Sequence, residues 1–168
     1  MRIALIVIAV IVALGVLVTL FGYTLPVKHT AARERVIAAP IEAVFSAIST
    51  PTEFPRWRSG LKSVELLPDV GGKSGFREVG GDGTISFAID TLEPPRRMVT
   101  RIADKSLPFG GQWTHELSTD GSGTRIRITE DGEVYNPLFR VVSRYVFGHH
   151  RSIDTYLTDL ETHLTARK

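Results

Sequence analysis

The chain has 168 residues, with 20 Lys and Arg against 18 Asp and Glu, and it has no cysteine. Disulfides, thiolate catalysis and cysteine-ligated metals are therefore excluded. Residues 1–24 hold only Arg2, so the remainder carries nineteen basic and eighteen acidic side chains, an excess too small to be an electrostatic footprint for nucleic acid.

From Ile3 to Phe21 there is no charge and no strongly polar group beyond Thr19. That run spans about 28 Å as a helix, close to the ~30 Å of a bilayer's hydrocarbon core. The core helix of a water-soluble protein would need a polar face, and none is present. The basic n-region is only Met1-Arg2, the apolar run is longer than a signal peptide core, and no small-x-small cleavage site follows Leu20. Residues 1–24 are thus expected to form an uncleaved, single-pass membrane anchor, with the membrane as a partner. Arg2 lies on one side of it and Lys28, Arg33 and Arg35 on the other. The positive-inside count leans toward a cytoplasmic domain, whereas a signal anchor of a secreted type gives the opposite topology.

Residues 25–29 read as a short linker stiffened by Pro26, and residues 30–168 as one domain. Residues 30–38 predict a strand ending at Ala39-Pro40. Ile41, Val44, Phe45 and Ile48 then mark the buried face of a short helix. A second helical turn is expected from Thr52, its cap, to Trp57. Beyond Gly60 the pattern is of consecutive strands, 61–67, 74–80, 83–91, 96–104, 111–119 and 124–134, divided by Gly, Pro, Asp and Ser clusters. Short hairpins imply an antiparallel meander.

Pairing 91 with 96, 104 with 111 and 119 with 124 puts four sets of side chains on one face: Ile85, Phe87 and Ile89; Met98, Thr100 and Ile102; Trp113, His115 and Leu117; and Ile126, Ile128 and Glu130. Phe76 and Glu78 join them if Gly81-Asp82 is a two-residue turn. The opposite face is rich in arginine. Gly80, Gly81 and Gly83 are no phosphate loop, because no helix follows them.

Asn136-Pro137 predicts a helix start, with proline at the first helical position. Leu138, Val142, Tyr145, His149, Ile153, Tyr156, Leu160 and Leu164 then recur at spacings of three and four. If unbroken, that helix is a rod of roughly 45 Å. Its weak point is Gly148, where a bend is expected to open the domain and Gly148→Ala to stiffen it.

The order of elements is that of the helix-grip fold, and particular residues carry the resemblance further. Arg35-Val36-Ile37-Ala38-Ala39-Pro40-Ile41-Glu42-Ala43-Val44-Phe45, Phe54-Pro55-Arg56-Trp57, and Gly123-Thr124-Arg125-Ile126 through Gly132 resemble motifs of the START-like, polyketide cyclase and lipid transport (SRPBCC) superfamily. The resemblance covers residues 29 to 165. It implies an α+β domain, a curved antiparallel sheet around a long C-terminal helix, that binds an apolar small molecule between the two. Some members carry lipids or quinones, some are cyclases, and some are oxygenase subunits. His149 and His150 would point to different helix faces with no carboxylate spaced to complete a metal site, so neither a metal nor a cofactor is expected.

The residues expected to line the ligand site are Phe76, Phe87, Thr100, Trp113, His115, Ile128, Glu130, Tyr145 and His149. His115 and Glu130 are diagonal on one sheet face, close enough for a general acid–base pair. Three functions fit: a membrane-tethered binding or transfer protein for a lipid or isoprenoid-like molecule, a cyclase or dehydratase using His115 and Glu130, and an interaction module with a filled core. The sequence points to no particular protein partner.

Overall fold

The computed structural model describes residues 2–81 and 83–166. Helix α1 (Arg2–Thr24) is followed by β1 (Lys28–Ile37), α2 (Ile41–Ser49) and a 3₁₀ turn (Pro51–Arg56). Six strands come next: β2 (Leu61–Leu67), β3 (Gly75–Gly80), β4 (Gly83–Glu93), β5 (Arg97–Ile102), β6 (Phe109–Asp120) and β7 (Gly123–Val134). The chain closes with α3 (Pro137–Val142), a π-helical turn (Ser143–Phe147) and α4 (Arg151–Thr165).

The strands form one antiparallel sheet in the order β1-β7-β6-β5-β4-β3-β2. This is the expected α+β helix-grip domain. β1 starts at Lys28, two residues earlier than expected, which brings His29 into the sheet opposite Gly132. Thr119 pairs with Thr124 as foreseen. Gly80 pairs with Gly83, as a two-residue turn requires, although Asp82 itself lies outside the described residues. Elsewhere the pairing differs: Phe87 faces Ile102 and Arg101 faces Gln112. As far as Ile89, where a bulge interrupts β4, both offsets from the expected register are of two residues, so the side chains assigned to the inner face keep it.

The inner face supplies Phe76, Met98, Leu117, Ile126 and Ile128 to the core, beneath Ile41, Val44, Phe45 and Ile48 of α2 and Ile153, Tyr156, Leu157 and Leu160 of α4. Each large apolar side chain buried here contributes about 1.5–3 kcal/mol. Ion pairs align α4 along one flank, Arg33 with Asp154 and Arg35 with Glu161, both at 3.1 Å. On the other flank the Ser59 N–H and hydroxyl both donate to Asp159 at 2.7 Å. The outer arginines pair with neighbouring acids, Arg101 with Asp90 and Arg125 with Glu34, both at 2.8 Å.

The C-terminal helix starts where expected. The Asn136 side chain accepts the Phe139 N–H at 3.0 Å, and Pro137 follows it. The unbroken rod is not what forms. Gly148 takes φ 72° and ψ 153°, which ends the helical path before α4 begins. The apolar positions from Leu138 to Leu164 therefore serve two surfaces, and spacing alone could not separate them. The first piece packs on α1, where the Pro137 backbone occupies the space a Cβ at Gly22 would need. Arg140 fastens the contact, donating to the carbonyl oxygens of Gly22 at 3.1 Å, Leu25 at 3.2 Å, Val134 at 2.8 Å and Tyr135 at 2.9 Å. A cation suits this place, because the last carbonyls of a helix lack intrahelical donors and carry its negative partial charge.

The conformation at Gly148 changes the expected effect of its substitution. An added Cβ would meet open space there, but the backbone region is essentially restricted to glycine. Gly148→Ala is therefore expected to destabilise the domain by about 1–3 kcal/mol rather than to stiffen it. Urea unfolding of the two proteins measures the difference.

Candidate functional site

Seven of the expected site residues, Glu130 among them, occupy the inner sheet face. Phe76 on β3 is stacked on Phe87 of β4, with ring centroids 5.2 Å apart, and meets Phe54 edge-on at 5.6 Å. Thr100 pairs with Trp113 across β5 and β6, and His115 pairs with Met98 on one side and Ile128 on the other. Thr100, His115 and Ile128 are buried, while Phe87 and Trp113 are half-buried.

Tyr156 of α4 descends into the middle of this face. Around its ring lie Trp57 at 5.2 Å, Trp113 at 5.6 Å and His115 at 5.6 Å, so aromatic groups fill the centre of the grip. Arg58 stands 5.3 Å over the Tyr156 ring and pairs with the buried carboxylate of Glu78. Both elements that deliver these groups follow from local sequence. Pro51 starts the 3₁₀ turn that presents Phe54 and Trp57, and strand alternation aims Glu78 inward.

His115 is only 4% exposed, and neither ring nitrogen has a hydrogen-bond partner. The Trp57 indole nitrogen is likewise buried without one. Burial pushes the His115 pKa from 6.5 down to about 4; the Met98 backbone opposite offsets this in part without making a bond of normal geometry, and the Arg58 charge adds to the fall. The ring is therefore neutral near pH 7, with one N–H and one bare nitrogen. Burial also pushes the Tyr156 hydroxyl upward, which keeps it a neutral donor.

A second polar group lies nearer α1, and its centre is Glu130. This carboxylate accepts the Trp113 indole N–H at 2.8 Å and the Ser152 hydroxyl at 3.4 Å, and it lies 3.2 Å from His29 Nε2. The His29 ring in turn stacks on His149 at 3.8 Å. The space for the His29 ring exists because residue 132 is glycine, since a Cβ there would overlap it. His149 is pulled below the ordinary imidazole range by burial first, then by the charges of His29, Arg144 and His150, against the opposing pull of Glu130.

These positions correct the sequence expectation in three places. His115 and Glu130 do not form an acid–base pair, because Glu130 is engaged by Trp113, His29 and Ser152 and His115 by nothing. Tyr145 stands apart from the other candidates; it is 61% exposed and lies 6.2 Å from Phe21 of α1. His149 sits in the break between the π turn and α4 instead of on a continuous helix face. Sequence reasoning missed His29, assigned to a linker, and Arg58 and Ser152. Only the pairing of β1 with β7 could have revealed His29. Among the described residues, no group of three or more His, Asp and Glu could hold a metal ion.

A curved seven-stranded sheet gripping α4, with polar and aromatic groups between, defines a START-like helix-grip protein. The chain belongs to the family described as polyketide cyclase / dehydrase and lipid transport, which it matches over residues 28–164. Among solved structures it is similar to a START superfamily protein from Mycobacterium smegmatis, with 16% identity over 83% of this chain and 99% of that one and a TM-score of 0.67. It is also similar to the ZhuI aromatase/cyclase from Streptomyces sp. R1128, with 16% identity over 83% and 95% of the two chains and a TM-score of 0.67. Truncated norcoclaurine synthase from Thalictrum flavum shows 11% identity over 84% and 96%, with a TM-score of 0.66. At such identities the likeness is one of fold. No curated protein matches the sequence.

The His115 environment predicts an acid sensitivity of known sign. Above pH 6.5 the ring is neutral in both folded and unfolded chains. Below that value the unfolded chain takes up a proton that the folded one refuses until about pH 4, so stability is lost across this window. The loss attributable to His115 is roughly 3 kcal/mol. His115→Leu lacks that titration, and denaturant midpoints of the two proteins should diverge in the variant's favour as the pH falls from 7 toward 4.

Proposed function

We propose that the protein is a membrane-tethered binding or transfer protein for an apolar small molecule that carries an oxygen function, held between the sheet and α4. The observation that carries this reading is the set of unpartnered nitrogens on His115 and Trp57, two buried rings that both pack against Tyr156. A buried donor without an acceptor costs about 1–3 kcal/mol. A hydroxyl or carbonyl oxygen on a guest molecule would answer it, while Phe76, Phe87, Ile128 and Trp113 provide apolar burial at roughly 25 cal/mol per Å².

Rings fill the centre of the grip, so a guest must part them. The run from Pro137 to Phe147 is separated from α4 by the break at Gly148, which leaves α4 to move apart from it. The tether is α1, long and apolar enough to cross a membrane. A signal sequence would pass the same test, but Arg140 uses the carbonyl oxygens of Gly22 and Leu25, which makes the end of α1 part of the domain's own bonding. Retention follows from that more readily than cleavage.

Family membership supports an apolar small molecule as ligand, since lipid transport stands in the family's description. The same description includes cyclases and dehydrases, but here Glu130 is engaged by other groups and His115 by none, which argues against chemistry through that pair. A filled-core interaction module is the second reading, favoured by the close contact of the rings around Tyr156.

The two tryptophans of the chain, Trp57 and Trp113, both border Tyr156, so tryptophan fluorescence excited selectively over tyrosine reports on the site. In detergent micelles, which add no tryptophan, a long-chain alcohol or ketone should change it at lower concentration than the parent hydrocarbon. His115→Leu should weaken alcohol binding about fivefold, the loss of one net hydrogen bond, and leave hydrocarbon binding unchanged. If no probe alters the fluorescence and native mass spectrometry finds no co-purifying molecule, the interaction-module reading stands instead.

A further inference from the structure

The segment from Pro137 to Phe147 leaves large apolar and aromatic side chains uncovered: Leu138 is 46% exposed, Tyr145 61% and Val146 71%. A segment of a water-soluble domain would normally turn such groups inward, and here a helix of the same chain decides what they face. We propose that this segment is a second membrane contact, seated in the interfacial layer of the bilayer that α1 spans. The inference rests on α1 being a membrane span, and it adds that the domain is fixed on the bilayer rather than hanging from it.

Depth is the first argument. The 23 residues of α1 make a rod of about 35 Å, longer than the ~30 Å hydrocarbon core by roughly one turn. Phe21 to Thr24 therefore fall near the boundary between acyl chains and headgroups. Tyr145 stands beside Phe21 at 6.2 Å, which sets Tyr145 at that boundary. Tyr23, 67% exposed, belongs to the same level. Tyrosines concentrate at this depth in membrane proteins because one end of the ring is apolar and the other wet.

Attachment is the second argument. The contact of Gly22 with the Pro137 backbone and the two carbonyls at the end of α1 held by Arg140 leave little freedom between the segment and α1. Wherever α1 crosses, Leu138, Tyr145 and Val146 are carried to the surface it emerges from. Arg144 supplies the matching polar edge, with its guanidinium 5.9 Å over the Tyr145 ring and free to reach headgroups while its stem lies on apolar surface. A protein partner or a second copy of the chain would have to compete with lipid at that depth.

The chain has no cysteine, so single cysteines carry a fluorophore without background. Labels at Val12→Cys in α1, Val146→Cys in the segment and Ser122→Cys are compared in the full chain in phosphatidylcholine nanodiscs. Residue 122 lies at the far end of β7, a twelve-residue strand roughly 40 Å long. The inference expects the label at 146 to be quenched by lipid bearing a nitroxide near the headgroup, and to be several-fold less sensitive to aqueous iodide than the label at 122. A label at 146 as open to iodide as that at 122, with 12 still quenched by lipid, would leave α1 a span and remove the second contact. Protection of 146 from both iodide and lipid nitroxide would mean that protein covers it, and would also overturn the inference. If 12 itself escapes lipid quenching, the membrane reading fails and this inference with it.

Discussion

The inner face of the sheet is too long for the helix that grips it, and the arrangement around the site follows from that mismatch. β6 and β7 each have twelve residues and so reach roughly 40 Å. α4 has fifteen residues and spans about 22 Å. Its buried side chains, Ile153, Tyr156, Leu157 and Leu160, cover Ile126, Ile128 and their neighbours. α4 still reaches Trp113 through Tyr156 and Glu130 through Ser152, but the part of the sheet beyond them, toward Val134, falls to other elements. A straight continuation of α4 could cover it, but the chain instead breaks at Gly148 and turns α3 against α1.

The break divides the polar chemistry of the interior in two. Under α4, His115 and Trp57 are deeply buried and lack partners. Near the break, Glu130 gathers Trp113, Ser152 and His29 around one carboxylate, beside the stacked ring of His149. A carboxylate at such a place must be well bonded, because a buried charge without partners costs far more than a buried neutral ring. The neutral imidazole can stay unpaired at moderate cost, and burial keeps it neutral near pH 7. The carboxylate is thus engaged within the structure and the neutral ring is left without a partner. That ordering is the reverse of an acid–base pair, where both groups would share one hydrogen bond.

Much of this could be seen in the sequence, for identifiable reasons. Strand periodicity is two, so errors of two residues in the pairing of β4 with β5 and of β5 with β6 cost nothing in the assignment of faces. Asn136-Pro137 marked a helix start because capping is a local matter. What escaped was non-local. His29 and Glu130 are separated by a hundred residues of chain and meet only because β1 closes the sheet beside β7. The end of the first helical piece escaped for a different reason. Apolar spacing shows that a face is buried without showing against what, and Leu138 and Tyr145 fit the same pattern as Ile153 and Leu160 while facing elsewhere.

Arg140 shows why these pieces act together. A guanidinium has five N–H donors in a fixed plane, and here they reach four carbonyl oxygens, two at the end of α1 and two at the end of β7. Lysine could not span both sets, since its three donors radiate from one atom. The segment after Pro137 is thereby joined to α1 and to the end of the sheet by hydrogen bonds, and connects to α4 through Gly148-His149-His150. Gly148 is therefore where the path divides, with α3 tied to both α1 and the end of the sheet on one side and α4 on the other. His29 and His149 face each other at that division, one on β1 and one just after the glycine. α4 is held along both flanks by Arg33, Arg35 and Ser59, and the segment before Gly148 is held by Arg140 at α1 and at the end of β7, so the two attachments meet only at this seam.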